Sequence, residues 1–354
     1  MASQYTQKPN RILAVKLREL GDTAIWTSAL KGLHQLFPHS ELHVLVNHAS
    51  KPLLINNRII NSVHSVSGSS SLRLILKLLQ LRHYRFDLAL GFHSTTSLCR
   101  WIPLLGANRV ALHHHSWSHN PKNSNLTLKS PGALEDAIKR DYQILESLGW
   151  QGPRLLTRLE VLKSEQIEAK NLLTKSGIDF ASSRRRLVLL PGARTETRRY
   201  PKELWVETIR LLKSKSNYQI YVVADPELSS KWNLPRVCED FCLPLFDNVN
   251  LRQFMALVSL ASKALANDSG PFHISVALGV STVALFGPGC LGDWYPYGGV
   301  RHVALRIPVE CRTQGPRNQE RFQYCSVTQC DHLSCLRQIS PSTVFQCLTQ
   351  LSQD

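Results

Sequence analysis

Asn267-Asp268-Ser269-Gly270-Pro271-Phe272-His273 brings an acid, a hydroxyl, a glycine and an imidazole together in one short segment. It lies between an apolar run, Lys263 to Asn267, and a helix-like run, Pro271 to Leu278, which Gly279 closes ahead of another apolar run, Thr282 to Phe286. Asp268 and Ser269 are residue types that cap helices, and Pro271 suits a first helical turn, where its missing N–H is not needed. A helix starting at the carboxyl end of a parallel strand aims free N–H groups and partial positive charge outward, which suits a pyrophosphate, and Gly270 lets that phosphate come close. Spacing alone is equally met by a well-capped βαβ unit with no ligand.

Three other segments carry polar groups at strand ends. Leu20-Gly21-Asp22 follows the first apolar run, and its carboxylate suits either a helix cap or a base. Pro191-Gly192-Ala193-Arg194-Thr195-Glu196-Thr197-Arg198-Arg199-Tyr200-Pro201 joins a strand to a helix and is either a solvated basic loop or a set of cations for a leaving diphosphate. Ala224-Asp225-Pro226-Glu227 also follows a strand and has the composition of a surface turn.

The elements that must position these groups alternate between short apolar runs and helix-like segments, the pattern of parallel sheets with crossover helices. Strands are expected at Arg11 to Leu17, Leu42 to Val46, Phe86 to Gly91, Leu187 to Leu190, Gln219 to Ala224, Lys263 to Asn267 and Thr282 to Phe286. Helices are expected at Thr23 to Phe37, Ser71 to His83, Pro201 to Ser214, Leu251 to Ala261 and Pro271 to Leu278. The stretch from Gly106 to Asn125, with His113, His114, His115 and His119, reads as loop, and the rhythm stops again between Gly149 and Gly177. The expected architecture is α/β, with two doubly wound domains facing each other across a cleft: 1–160, a linker at 161–186, and 187–354.

A chain of 354 residues with 43% hydrophobic and 19% charged residues can bury two cores. Its net charge of +16 points to polyanionic company, whether nucleic acid, an anionic membrane or a phosphorylated substrate. No apolar run approaches the ~18 residues of a spanning helix, and the polar start from Met1 to Asn10 is unlike a signal peptide, so a cytoplasmic location is expected. The nine cysteines are expected as thiols there.

Taken together, Asp268-Ser269-Gly270-Pro271, His273, Ala277-Leu278-Gly279 and Phe286-Gly287-Pro288 resemble the signature of the lipopolysaccharide heptosyltransferase family, glycosyltransferase family 9. The similarity extends to Lys16 through Leu30, Pro191 through Trp205 and the cysteine-containing tail. The resemblance implies a GT-B type fold of two Rossmann-like domains, the N-terminal one for acceptor and the C-terminal one for nucleotide sugar. It implies inverting transfer of a heptose from ADP-heptose to the lipopolysaccharide inner core. Asp22 takes the family's general-base position, while Asp268, Ser269, Gly270 and His273 take the donor-phosphate positions. Relatives commonly show Lys-Arg-Trp-Pro where this chain has Arg198-Arg199-Tyr200-Pro201, so Arg198 and Arg199 are also assigned to the donor. Glu227 is placed near the nucleoside.

The absence of any Asp-x-Asp pair argues against donor binding through a divalent ion, so neither metal nor cofactor is expected. Gly287-Pro288-Gly289-Cys290-Leu291-Gly292 fits a dinucleotide fingerprint in letters only, because the following Asp293-Trp294-Tyr295-Pro296-Tyr297-Gly298 does not read as a helix. Cys311, Cys325, Cys330 and Cys335, with His332 nearby, are spaced too widely for the usual zinc knuckles. Leu72, Ile75, Leu76 and Leu79, with Arg73, Lys77, Arg82 and Arg85 alongside, form a stripe that either covers a sheet or lies on an anionic membrane, where a lipid-linked acceptor would be found. The expected location is thus cytoplasmic, with peripheral contact at the inner membrane. The alternatives are a same-family transferase with another nucleotide sugar or glycan acceptor and, from a different class, a basic nucleic-acid-binding protein. The latter is disfavoured because no nucleic-acid-binding signature is evident.

Overall fold

The computed structural model describes residues 8–68, 70–113, 126–128, 136–297, 300–312 and 323–351. The chain divides into two compact units, Met1–Glu160 and Val161–Asp354.

In the first unit β1 (Arg11–Lys16), β2 (Glu41–Asn47), β3 (Ser62–Val66), β4 (Leu88–Gly91), β5 (Arg109–His113) and β6 (Leu126–Leu128) form a parallel sheet in the order β3-β2-β1-β4-β5-β6. Its helices are α1 (Leu20–Leu36), α2 (Lys51–Leu54), α3 (Ser71–Leu81), α4 (Thr96–Trp101) and α5 (Ala137–Ser147). Ile12 through Lys16 are all buried, as befits a parallel strand covered on both faces. Beside it α1 packs closely on α5, because a Cβ at Gly32 would stand 2.7 Å from the Leu145 side chain.

The second unit contains β7 (Arg186–Leu190), β8 (Gln219–Val223), β9 (Leu245–Phe246), β10 (Lys263–Asn267), β11 (Ser281–Leu285) and β12 (His302–Leu305), in the parallel order β12-β11-β10-β7-β8-β9. Its helices are α6 (Lys163–Lys175), α7 (Lys202–Lys215), α8 (Pro226–Trp232), α9 (Leu234–Asp240), α10 (Leu251–Ser259), α11 (Gly270–Ala277), α12 (Leu291–Trp294), α13 (Ser334–Arg337) and α14 (Pro341–Gln350). The end of the chain closes this unit: α14 packs on α7, and Tyr200 donates its hydroxyl hydrogen to the Ile339 carbonyl at 2.6 Å.

Both sheets therefore have the doubly wound Rossmann order, and the pair is of the GT-B type. Each has a point where the strand order reverses, between β1 and β4 and between β7 and β10. Ligands of open α/β sheets bind at the carboxyl ends of the strands at such points.

The structure differs from the sequence reading in several places. Residues 161–186, expected as a linker, include α6, which belongs to the second unit: Ala169 and Leu173 are buried in its core, and Arg252 of α10 donates to Glu165 at 2.8 Å. The expected loop from Gly106 contains β5, whose Val110, Ala111 and Leu112 are buried beside β4; the remainder, 114–125 with His114, His115 and His119, lies outside the described residues. Residues 1–7 of the polar start and Gly298 also lie outside them. A helix, α12, begins at Leu291 within the glycine pattern of Gly287 to Gly292 and includes Asp293 and Trp294, but it lasts only four residues. Among the described residues no helix is long and apolar enough to cross a membrane.

Candidate active site

At the reversal point of the first sheet, β1 leads into α1 and its first turn carries Asp22. The N-cap is Glu19, whose carbonyl accepts from the Thr23 N–H at 3.1 Å, so Asp22 is not the cap. Its side chain is 13% exposed, and its Oδ1 lies 3.8 Å from Nδ1 of His93. His93 comes from the loop after β4, across the reversal point, with a φ of 49°, uncommon for a residue with a Cβ. Arg18 holds that loop by donating from Nε to the His93 carbonyl at 3.0 Å.

Beneath Asp22, Lys16 at the end of β1 makes a buried ion pair at 2.6 Å with Asp141 of α5. Burial pushes the Asp22 carboxyl above the ordinary carboxylate range, opposed by the positive charges of Lys16, Arg18 and Arg140 and reinforced by nearby Glu19. Burial raises Asp141 as well, with Lys16 as the main opposing charge. A carboxylate with raised proton affinity is a stronger base, provided neighbouring cations keep it ionised.

At the reversal point of the second sheet, β10 ends at Asn267. Its Oδ1 accepts from the Tyr200 N–H at 3.0 Å and its Nδ2 donates to the Pro191 carbonyl at 2.7 Å, holding the 191–200 loop at both ends. Next to it Asp268 is 1% exposed, and Nη1 of Arg198 lies 3.3 Å from its Oδ2. Burial raises the Asp268 carboxyl, with Arg198 opposing. Arg198 itself is 39% exposed, so its guanidinium touches Asp268 and still meets solvent. Arg199 does something else: its Nε donates to the Ala193 carbonyl at 2.8 Å and braces the loop.

Ser269 is the N-cap of α11, although its hydroxyl donates to the Asn267 carbonyl at 3.1 Å instead of capping the helix. Gly270 opens the helix, and the N–H groups of Gly270 and Phe272 have no carbonyl one turn earlier to bond, while Pro271 between them carries none. His273 is buried, with Nδ1 2.9 Å from the Tyr297 hydroxyl. Burial, followed by Arg198, pushes its pKa down to about 3, so the ring is neutral and acts through hydrogen bonding, not charge. The loop after β11 comes close: a Cβ at Gly289 would stand 2.0 Å from Asp268 Oδ2.

Glu227 is exposed in the first turn of α8, after β8, which neighbours β7. An ion pair between Lys231 and Glu196 ties α8 to the same loop, but among the described residues no hydrogen bond or ion pair joins Glu227 to Arg198 or Asp268. The structure thus gathers Arg198, Asp268, Ser269, Gly270 and His273 at one sheet edge, braced by Arg199, with Glu227 on the adjacent turn. Asp22 belongs to the first unit. Sequence reasoning gave no role to His93, Lys16, Asp141, Asn267 or Gly289; the one available signal was that His93 falls in the segment just past β4, after Phe92, as Asp22 falls past β1. Among the described residues no group of three or more His, Cys, Asp or Glu is arranged to hold a metal ion.

Residues 80–320 match the family model of glycosyltransferase family 9 (heptosyltransferase). The chain belongs to glycosyltransferase family 9. As a family 9 glycosyltransferase it catalyses sugar transfer, and the nucleic-acid-binding alternative gives way. It is 21% identical over 292 residues to lipopolysaccharide heptosyltransferase 3 of Escherichia coli, covering 79% of this chain and 83% of that one. In fold it resembles a family 9 glycosyltransferase of Veillonella parvula, with a TM-score of 0.78, 18% identity and 97% of each chain covered. It likewise resembles the E. coli heptosyltransferase WaaC, solved with ADP, with a TM-score of 0.69, 18% identity, and 97% of this chain and 100% of that one covered. At these identities the two solved structures bear on the fold of this family 9 enzyme alone.

Proposed function

We propose that this enzyme moves a heptose from ADP-heptose to the inner core of lipopolysaccharide, with inversion and without a metal, at the cytoplasmic face of the inner membrane. The observation that carries the reading is the open start of α11 with the Arg198–Asp268 pair beside it, in a family 9 transferase. The first unit takes the acceptor and the second the donor. As the acceptor oxygen attacks the anomeric carbon, Asp22 receives its proton. The bond from that carbon to the phosphate oxygen breaks, and the electron pair leaves with the diphosphate. The leaving group needs no proton, because Arg198 and the N–H groups of Gly270 and its turn take up the new charge. Asp268 fixes Arg198, His273 offers a neutral hydrogen-bonding ring, and Glu227 faces the nucleoside. The excess positive charge meets the phosphates and acidic sugars of the acceptor.

Purified protein incubated with ADP-heptose and heptose-deficient lipopolysaccharide should add one heptose to the acceptor, read by mass spectrometry. Asp22→Asn should lower turnover by about 10²–10⁴-fold while leaving donor binding intact. Transfer from a different nucleotide sugar alone would overturn the donor assignment, and full turnover by the Asp22→Asn variant would overturn the base.

A further inference from the structure

α3 carries leucines on two opposite faces. Leu74, Leu78 and Leu81 are buried in one cluster with Val15, Ala89 and Leu112 of the first sheet. Leu72, Leu76 and Leu79, about half a helical turn away, are 63%, 57% and 44% exposed. The stripe read from the sequence is therefore the outer one, with Ile75 at its margin, and not the one that covers the sheet. A helix docked on a sheet needs one apolar face; a second, contiguous and exposed, marks an interaction surface.

The surroundings of this face are basic. Arg73 and Lys77 flank it, Arg82 and Arg85 follow in the next turn, and no Asp or Glu occurs between Glu41 and Asp87. Arg73 donates to the Ser67 carbonyl at 3.1 Å and Lys77 to Gln80 at 2.8 Å, contacts that leave both charges unneutralised.

We infer that the outer face of α3, with Leu72, Leu76 and Leu79 framed by these four cations, docks on a bilayer surface rich in anionic lipid. Leucines on such a helix enter the boundary between headgroups and acyl chains, while the cations meet lipid phosphates. A second copy of this chain is a poorer occupant, since a two-fold contact through this face would oppose cation to cation. The helix runs from the carboxyl edge of the sheet, the edge that carries Asp22, to the amino edge, where Arg82 and Arg85 lie, so the docking face spans the flank of the first unit. The surface stands whatever sugar is moved; only its purpose rests on the lipid-linked acceptor proposed above.

Vesicle sedimentation tests the inference, with phosphatidylcholine vesicles compared with vesicles of phosphatidylcholine and phosphatidylglycerol. The intact protein should pellet with the anionic vesicles only, and salt should weaken the binding. Leu72→Ser, Leu76→Ser and Leu79→Ser combined should cut partitioning by about tenfold or more, as should Arg73→Gln with Lys77→Gln. Both variants should keep the wild-type melting profile and wild-type transfer to a short acceptor lacking lipid. Equal partitioning of wild type and the triple serine variant overturns the surface. So does a wild-type dimer in sedimentation analysis that the serine variant abolishes without any change in vesicle binding. Failure of the soluble-acceptor assay in all three proteins, with the vesicle differences intact, would instead count against the transfer reaction.

Discussion

Asp22 and Asp268 are both carboxyls whose burial favours the protonated form, yet cations hold them to different tasks. Asp268 has Arg198 within 3.3 Å and serves as its anchor. Asp22 is influenced by Lys16, Arg18 and Arg140 and keeps His93 at 3.8 Å, an arrangement suited to accepting a proton. A base works only when ionised, so activity should fall as the pH drops through the raised Asp22 pKa. Arg18→Gln removes a charge that lowers this pKa, so the acidic limb of kcat/KM against pH should move upward. A limb that stays in place, with turnover otherwise normal, would mean that another group governs it. The neutral ring of His273 leaves the positive field at the second site to Arg198 and the start of α11.

At the scale of elements, the second site depends on two loops meeting at the end of β10. Asn267 ties down the loop after β7, and Gly289 lets the loop after β11 pass against Asp268. Gly289→Ala would put a Cβ 2.0 Å from an oxygen of a carboxyl that is buried and paired. The expected cost is about 1–3 kcal/mol in chemical denaturation, together with a loss of donor affinity. Gly192→Ala is the milder comparison, because its Cβ would stand 3.3 Å from Asp225, which is exposed. If the two variants were equally stable, the close approach at Gly289 would not constrain the site. In the first unit the Lys16–Asp141 pair has a similar coupling role, joining β1 to α5 beneath Asp22.

For the molecule as a whole, the response to acid includes histidines held neutral by burial, complete for His273 and partial for His64 and His302. Burial holds His273 at about 3 and both His64 and His302 at about 4. These values lie below those of an unfolded chain, which therefore binds more protons as the pH falls below about 6.5. The stability these groups contribute is present above that pH and is lost as the pH falls toward their folded values. Asp22, Asp141 and Asp268, with raised pKa values, act in the opposite sense. Comparing His273→Gln with wild type from pH 7 to 5 isolates one histidine. The variant should lose stability less steeply, by up to about 1.4 kcal/mol per pH unit. Parallel curves would contradict a neutral buried His273.

The turn from β10 into α11 was legible from sequence because its signals are local: an apolar run, capping residues, a proline in the first turn and Gly279 after the helix, at a φ of 79°. The same holds for the alternation of strands and helices that made two doubly wound domains the natural expectation. Other elements hid for physical reasons. β3 is an edge strand with polar Ser62, His64 and Ser65, and α6 buries only Ala169 and Leu173, so neither carries a strong apolar pattern. Which leucine stripe of α3 turns inward could not be read either, since both are equally apolar and the choice depends on what the sheet offers. Nor could spacing reveal that Arg198 reaches Asp268, that Asn267 holds both ends of the 191–200 loop, or that His93 stands beside Asp22. Capping and periodicity act between near neighbours in the chain and are written there. Pairings across a sheet depend on strand order and on which helix covers which face, and only the folded chain decides those.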